Sequence, residues 1–384
     1  MPAHREFAFF TGVNAVHGFV TRMVGFLMPV YLMSLGLTGV QIGIYYAMAA
    51  VSTLIFALPM GITSDRIPVR RIIAASFIII AAGYIGFFYA RTFAVFCIFG
   101  LLSSFGGRFH GIASNAMYFK IHRDAIRDAG SYNFVQLLAQ GSGMIIGAAF
   151  ISAVGYTALF GLNAVVFIVL AVLALLVLPR TETVSVSLAE YRDLVLSPAV
   201  IFVTVIFTLS SLHWGAEMTS YGLFLKTVLH LTPMQIGLYS GAGLVMVGIA
   251  SYLGMLAYTR KLVKNMTTIM IIGFLMSGIF HILMCVPSLW LSFTFRMLHE
   301  CGDGLISLSF LYGVAKLFRI ERIGGISAFI TLGMSAGSMA SSILFGYLND
   351  CFGPSIPLIV SGAVLIIIPL VLLEGRRRNI VQFG

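Results

Sequence analysis

The sequence predicts an all-α membrane protein of twelve transmembrane helices arranged as two six-helix halves. Three observations predict it. Of 384 residues, 59% are hydrophobic and only 9% charged, with a mean hydropathy of +1.02; a soluble domain must cover its surface with more polar residues than that. The apolar residues come in continuous runs of about 20, the length that crosses a bilayer as a helix. They do not show the alternating segments of about 10 residues that make a transmembrane barrel. A nine-residue stretch near the start also recurs midway along the chain.

Pro, Gly and charge clusters divide the chain into spans at 7–35, 40–63, 70–90, 93–119, 130–153, 156–178, 198–225, 233–258, 265–286, 288–315, 324–349 and 354–373. The first, starting at Phe7, is too long for a signal-peptide core and has no small-residue cleavage pattern, so it reads as a retained helix. The sixth span is followed by RTETVSVSLAEYRDLVLS, 180–197, the one sizeable connector. It separates an N-terminal half, 1–179, from a C-terminal half, 198–384. The second and eighth spans open with LTGVQIGIY (37–45) and LTPMQIGLY (231–239), which match at six of nine positions, the polar Thr and Gln included. Parallel repeats of this kind build many secondary transporters.

Charge orients the whole. Eighteen of the 23 Lys and Arg fall in loops or termini on one side, only Arg91 and Lys226 on the other, and Arg22, Arg108 and Arg296 inside spans. Positive loops stay cytoplasmic, which places both termini and the connector inside and the protein in the cytoplasmic membrane. The net charge of +10 is therefore a topology signal and an attraction to anionic lipid, not a nucleic-acid surface. Cys97, Cys285, Cys301 and Cys351 are scattered without CxxC spacing and imply neither a disulfide framework nor a zinc site. The glycine pairs Gly39/Gly43, Gly143/Gly147, Gly237/Gly241 and Gly333/Gly337 are small-xxx-small packing motifs. No strand precedes any of them, so no nucleotide loop and no cofactor is expected.

GITSDRIPVRR (61–71), between the second and third spans, resembles the loop signature of the Major Facilitator Superfamily, roughly G-x-x-x-D-R-x-G-R-R. Gly61, Asp65, Arg66, Arg70 and Arg71 match, and Pro68 stands where that family usually has Gly. Tyr258 replaces the Asp in the second-half copy. Span count, connector position and repeat extend the resemblance over the whole chain. It implies two pseudo-symmetric halves around a central cavity lined by spans one, four, seven and ten, alternating access, and a cytoplasmic gate formed by the loop residues. Arg108 is similar in position to the family's span-four arginine. Gly141, Gly143 and Gly147 in span five only partly resemble the Gly-Pro signature of its antiporters, since no Pro is present; they weakly favour export over uptake.

The ionisable residues inside spans are few: His17 and Arg22; Arg108 and His110; His213 and Glu217; His281; and Arg296, His299, Glu300 and Asp303. All but His281 lie in spans one, four, seven and ten. At about 100° per residue, the four in FRMLHECGDG share one stripe of roughly 100°. Ser210, His213, Glu217 and Ser220 form a second stripe, Ser104, Arg108, Gly111 and Asn115 a third, and Asn14, His17 and Thr21 a fourth, with Arg22 at its edge. A charge at the bilayer centre costs about 2.5–3.5 kcal/mol on insertion scales unless paired or hydrated, so these groups have work to do.

The reading that follows is a proton-coupled transporter of a small organic solute, anionic or amphiphilic, acting as a monomer in the bilayer and not an enzyme. An arginine moving toward or away from a carboxylate alters its proton affinity. Glu217, Glu300 and Asp303, with His213 and His299 as relays, are the proton-coupling candidates. Arg22, Arg108, His17, Asn14, Asn115, Trp214 and Arg296 are the substrate-binding candidates, with Arg296 also able to neutralise Glu300 at i,i+4. His110 and His281 read as structural. The alternative is a divalent-metal transporter, because His213-x3-Glu217 and His299-x3-Asp303 pair imidazole with carboxylate.

Overall fold

A computed structural model describes residues 2–121, 125–180, 197–317, 323–378 and 380. These residues form helices and short connections only, and the helices make twelve spans. The first runs as Pro2–Arg22 and, after a break, Leu27–Ser34; the next five are Gly39–Arg66, Val69–Tyr89, Phe93–Ile121, Ala125–Val154 and Tyr156–Val177. The seventh runs Pro198–Ala216, Glu217–Tyr221 and Gly222–Thr227. Pro233–Thr259, Met266–Leu283, Leu289–Leu317, Ile323–Phe352 and Ser355–Arg377 complete the set. Eleven spans among the described residues are long and apolar enough to cross a membrane. Leu289–Leu317 has the length, but Arg296, Glu300 and Asp303 lower its apolarity. Most of the connector, 181–196, lies outside the described residues.

The repeated stretch has a local cause. Thr38 Oγ1 accepts the Gln41 N–H at 3.3 Å while Gln41 Oε1 accepts the Thr38 N–H at 3.0 Å. Thr232 and Gln235 make the same reciprocal pair, at 3.3 and 2.9 Å. Each is a capping box, which satisfies donors that a helix start leaves open. The conserved-looking polar letters of the two copies therefore start spans two and eight.

The first six spans pack chiefly among themselves, as do the last six. Contact between the groups runs mainly through span five on span eight and span two on span eleven. Both seams use backbone approach at glycine: a Cβ on Gly141 would sit 2.6 Å from the Gly241 carbonyl, and one on Gly241 2.6 Å from the Gly141 carbonyl. At the end that carries few basic residues, the seams differ. Asp350, at the close of span eleven, accepts the N–H groups of Gly39 and Val40 at 2.6 and 2.8 Å through its two oxygens. These donors open span two, so a carboxylate at that helix start is held by charge as well as geometry. The position equivalent to Gly39 in the second copy is Pro233, which has no N–H to offer.

Candidate functional site

Two polar regions lie side by side, separated by span seven. The first is a cavity of about 490 Å³. Its lining includes His17, Thr21, Arg22, Ser104 and Arg108 from spans one and four, as the sequence stripes predict, but also Tyr45, Tyr46, Tyr84, Gln136 and Gln140 from spans two, three and five. From the last six spans only Met218 contributes among the described residues. Arg22 donates from Nε to Gln140 Oε1 at 3.0 Å. Arg108 is exposed to the cavity and has no hydrogen bond or ion pair among the described residues. Under the cavity floor, Asn14 Oδ1 lies 3.0 Å from His110 Nε2, and the His17 and His110 rings sit 3.9 Å apart.

The second region is buried in the C-terminal half. The Arg296 guanidinium is only 2% exposed. It donates from Nη1 to Glu217 Oε1, pairs from Nη2 with Glu300 Oε1 at 2.5 Å, and lies 4.2 Å over the Tyr221 ring. Glu217 Oε1 also lies 3.4 Å from His299 Nε2 and 3.9 Å from His281 Nδ1. Asp303 Oδ2 faces His213 Nε2 at 3.4 Å and His299 Nε2 at 3.7 Å, while its Oδ1 accepts the Ser277 hydroxyl at 2.6 Å. His281 closes the far side, with Nε2 at 3.1 Å from Ser361 Oγ. Spans seven, nine, ten and twelve thus share one network.

Several sequence expectations need correction in placement. The span-ten stripe does not line the cavity: Arg296, His299 and Glu300 are buried against spans seven and nine because they satisfy one another's charge there. Arg296 is therefore not among the residues that line that cavity. Asn14 is buried beneath the lining, Asn115 is exposed outside it, and Trp214 is 38% exposed away from it. Arg22 bonds an amide instead of facing a carboxylate at ion-pair distance. His281, read from sequence as structural, sits inside the buried network, whereas His110 lies beneath the cavity lining within hydrogen-bond distance of Asn14 and Ser114. Gln136, Gln140 and the three tyrosines were missed because the cavity candidates were taken from spans one, four, seven and ten, and these residues lie in spans two, three and five; the i,i+4 spacing of Gln136 and Gln140 was a usable signal. Of the loop residues, Arg70 donates to the Leu175 carbonyl at 3.4 Å and Arg71 is exposed. The side chains of Asp65 and Arg66, and the surroundings of Gly61, lie outside the described residues.

The helices that flank the two regions are both interrupted, and at matching places. Span one breaks at Met23–Phe26, where tight turns link Met23 N–H to the Val20 carbonyl at 3.2 Å and Leu27 N–H to the Val24 carbonyl at 2.9 Å, and Gly25 takes φ +43°. Span seven widens at Glu217–Tyr221 into a turn of π geometry. Shifting residues 23–26 by the 194-residue offset of the repeat gives 217–220, inside that turn. The two interruptions touch: the Phe26 and Tyr221 rings meet edge-on at 5.0 Å. Interrupted helices at corresponding positions of two repeats mark the binding region in transporter folds, and π turns gather at functional sites. Within the span-seven turn, Glu217 faces the buried network and Met218 faces the cavity.

A sequence profile described as Major Facilitator Superfamily matches residues 10–269. Comparison with curated protein sequences gives no match. Among solved structures, the fold is similar to a bacterial homolog of the human lysosomal transporter Spinster, in an inward-facing and occupied conformation. That likeness has a TM-score of 0.77 at 13% identity and covers 97% of this chain and 96% of the other. The human organic anion transporter MFSD10 aligns with a TM-score of 0.71 at 14% identity, over 97% of this chain and all of its own, 100%. The nucleoside transporter NupG aligns with a TM-score of 0.76 at 13% identity, over 96% and 99%.

Proposed function

Because the chain belongs to the Major Facilitator Superfamily, we propose that it carries a small organic anion across the cytoplasmic membrane by alternating access, coupled to protons. It is a multi-pass membrane transporter and not an enzyme. The observation that carries the finer reading is the separation of charge across span seven. Among the described residues, Arg22 and Arg108 stand in the cavity with no carboxylate partner, whereas Glu217 and Glu300 share the guanidinium of Arg296 and Asp303 faces His213 and His299. An organic anion compensates the first region and protons the second. The tyrosines of the cavity suit a solute with an apolar or aromatic part.

Arg22 lines the same cavity as Met218, the residue next to Glu217 in the span-seven turn. An anion that neutralises Arg22 leaves the Glu217 carboxylate less compensated, so solute and protons bind together. Cooperative loading of this kind is symport, and with protons flowing inward it drives uptake. Export, the direction favoured by the glycine-rich face of span five, requires the two ligands to compete instead. Both termini and the 180–197 connector are cytoplasmic in this reading, and the division at that connector separates two halves that rock as units. The 61–71 loop, with Gly61, Asp65, Arg66, Arg70 and Arg71, gates the cytoplasmic side. The transporter works as a monomer.

The test is flux of small organic anions, screened first by thermal shift, in proteoliposomes with and without a pH gradient. Glu217→Gln and Asp303→Asn are each expected to abolish gradient-driven flux while leaving the protein folded. Normal transport against a gradient by both variants would show the proton assignment to be wrong. An inward proton flow that drives the solute outward would establish export.

A further inference from the structure

We infer that His213, His299 and Asp303 form a binding site for one divalent transition-metal ion of the zinc or cobalt type, which bridges spans seven and ten. The donor atoms are already spaced for it. His213 Nε2 and His299 Nε2 lie 3.4 and 3.7 Å from Asp303 Oδ2, and the three atoms are all within 4.8 Å of one another. Bonds of about 2.0–2.1 Å in tetrahedral array put neighbouring donors roughly 3.4 Å apart.

Hydrogen bonding fixes which ring nitrogens are free. His213 Nδ1 is 2.5 Å from the Ser210 carbonyl and His299 Nδ1 is 2.9 Å from the Ser277 carbonyl. A carbonyl only accepts, so each Nδ1 carries a hydrogen, and in the neutral ring each Nε2 then presents a lone pair. His213 Nε2 is buried with no hydrogen-bond partner, pointed at a carboxylate that also only accepts. A cation between them resolves that opposition. Asp303 is held in turn by Ser277 Oγ at 2.6 Å, so every donor has the outer partner that ligating groups characteristically have.

Charge and access agree. With neutral imidazoles, three carboxylates against one guanidinium leave two negative charges in the network, matched by one divalent ion. Two imidazoles and one carboxylate select zinc or cobalt over calcium and magnesium, which prefer sets of oxygens. Asp303 keeps 17% of its side chain exposed, enough for an approach and a water as fourth ligand. None of the three donors lines the cavity, so the ion is not the cargo. By tying span seven to span ten it would hold one conformation and inhibit transport. The site rests on donor geometry and stands whether or not the proton reading holds.

Purified, chelator-treated protein would be titrated with Co²⁺ and followed by the strong visible bands of tetrahedral cobalt. Bands are expected, abolished by excess Zn²⁺ and unaffected by Mg²⁺ or Ca²⁺. Affinity should fall by about tenfold or more in His213→Gln and in Asp303→Asn, and by about tenfold in Ser277→Ala, which removes only an outer partner. Zn²⁺ should slow solute counterflow in the parent protein, and about tenfold more Zn²⁺ should be needed in Ser277→Ala. Absent bands, or bands unchanged in all three variants shown folded by thermal unfolding, would overturn the site. So would bands lost only in Cys285→Ser or Cys301→Ser. Gradient-driven flux without cobalt bands rejects the metal site and leaves the transport reading intact; bands without gradient dependence do the reverse.

Discussion

The Phe26 and Tyr221 rings meet edge-on at 5.0 Å, and through them the break in span one touches the wide turn in span seven. Tyr221 also lies beneath the Arg296 guanidinium at 4.2 Å. One aromatic contact therefore joins the helix that ends at cavity-lining Arg22 to the helix that bears Glu217. An edge-to-face pair contributes about 0.5–1.5 kcal/mol beyond its area. A double-mutant cycle on proton-driven flux, Phe26→Leu and Tyr221→Leu, is expected to show a coupling energy in that range. Strict additivity would mean that the two breaks move independently.

Arg108 has no partner in the described structure, so its loss costs the fold little. Arg108→Gln is expected to change unfolding stability by no more than about 0.5 kcal/mol, as for an uncommitted side chain. It should weaken binding of an anionic solute by about tenfold or more, the loss of a charge-assisted hydrogen bond. Isothermal titration beside thermal unfolding separates the two. A large stability loss with unchanged affinity would place Arg108 in a structural pair.

Span eight makes room for the network at one atom. A Cβ on Gly243 would stand 2.7 Å from Glu300 Oε1, so Gly243→Ala must move the carboxylate or the helix. If Glu300 moves, its pairing with Arg296 lengthens and the buried guanidinium loses a partner. Breaking a buried ion pair costs about 3–5 kcal/mol. Gly243→Ala should cost nothing further when it is added to Glu300→Ala, which has already removed the pair, read by chemical denaturation of the double variant against its Glu300→Ala parent.

Asp350 holds the start of span two, which makes the span two–eleven seam sensitive to a single charge. In Asp350→Asn the two N–H groups of Gly39 and Val40 keep at most one good acceptor. Spin labels at exposed Leu35 and Phe352 are then expected to report a new population at longer separation. An unchanged distance distribution would show that the close packing of Gly39, Gly43 and Gly346 suffices to keep the seam shut.

The architecture was largely legible in sequence because a bilayer leaves few choices. Continuous apolar runs specify helices, and the chain obliged even in Leu289–Leu317, whose charges satisfy one another. The repeat was legible as letters, but its reason was not. Thr38 with Gln41 and Thr232 with Gln235 look like surface polarity until the reciprocal hydrogen bonds are seen. The ionisable candidates within the spans were found by charge, and they fall in the two polar regions as groups, whereas Asn115 and Trp214 fall outside the cavity. Their assignment to one cavity failed because a helical wheel gives direction around one axis and says nothing about the neighbour on that side. Ser220 shows a second limit. The π turn that starts at Glu217 inserts an extra residue, so regular spacing no longer describes the span beyond it, and Ser220 bonds Thr219 at 3.2 Å. Neutral Gln140 could not be found by a search for charge, although it holds Arg22.

Gly39 and Pro233 occupy the same place in the repeat, and the difference gives the two seams unlike thermodynamics. The span two–eleven seam is tied by an ionised group to a helix start, so dissolved salt screens it. Its counterpart, span five on span eight, has Pro233 at that place and no carboxylate on the helix start among the described residues, so salt has no such tie to screen. High ionic strength should therefore loosen the span two–eleven seam and leave the span five–eight seam as it is. The choice of salt concentration would then bias which seam parts first, a handle on conformation that needs no mutation.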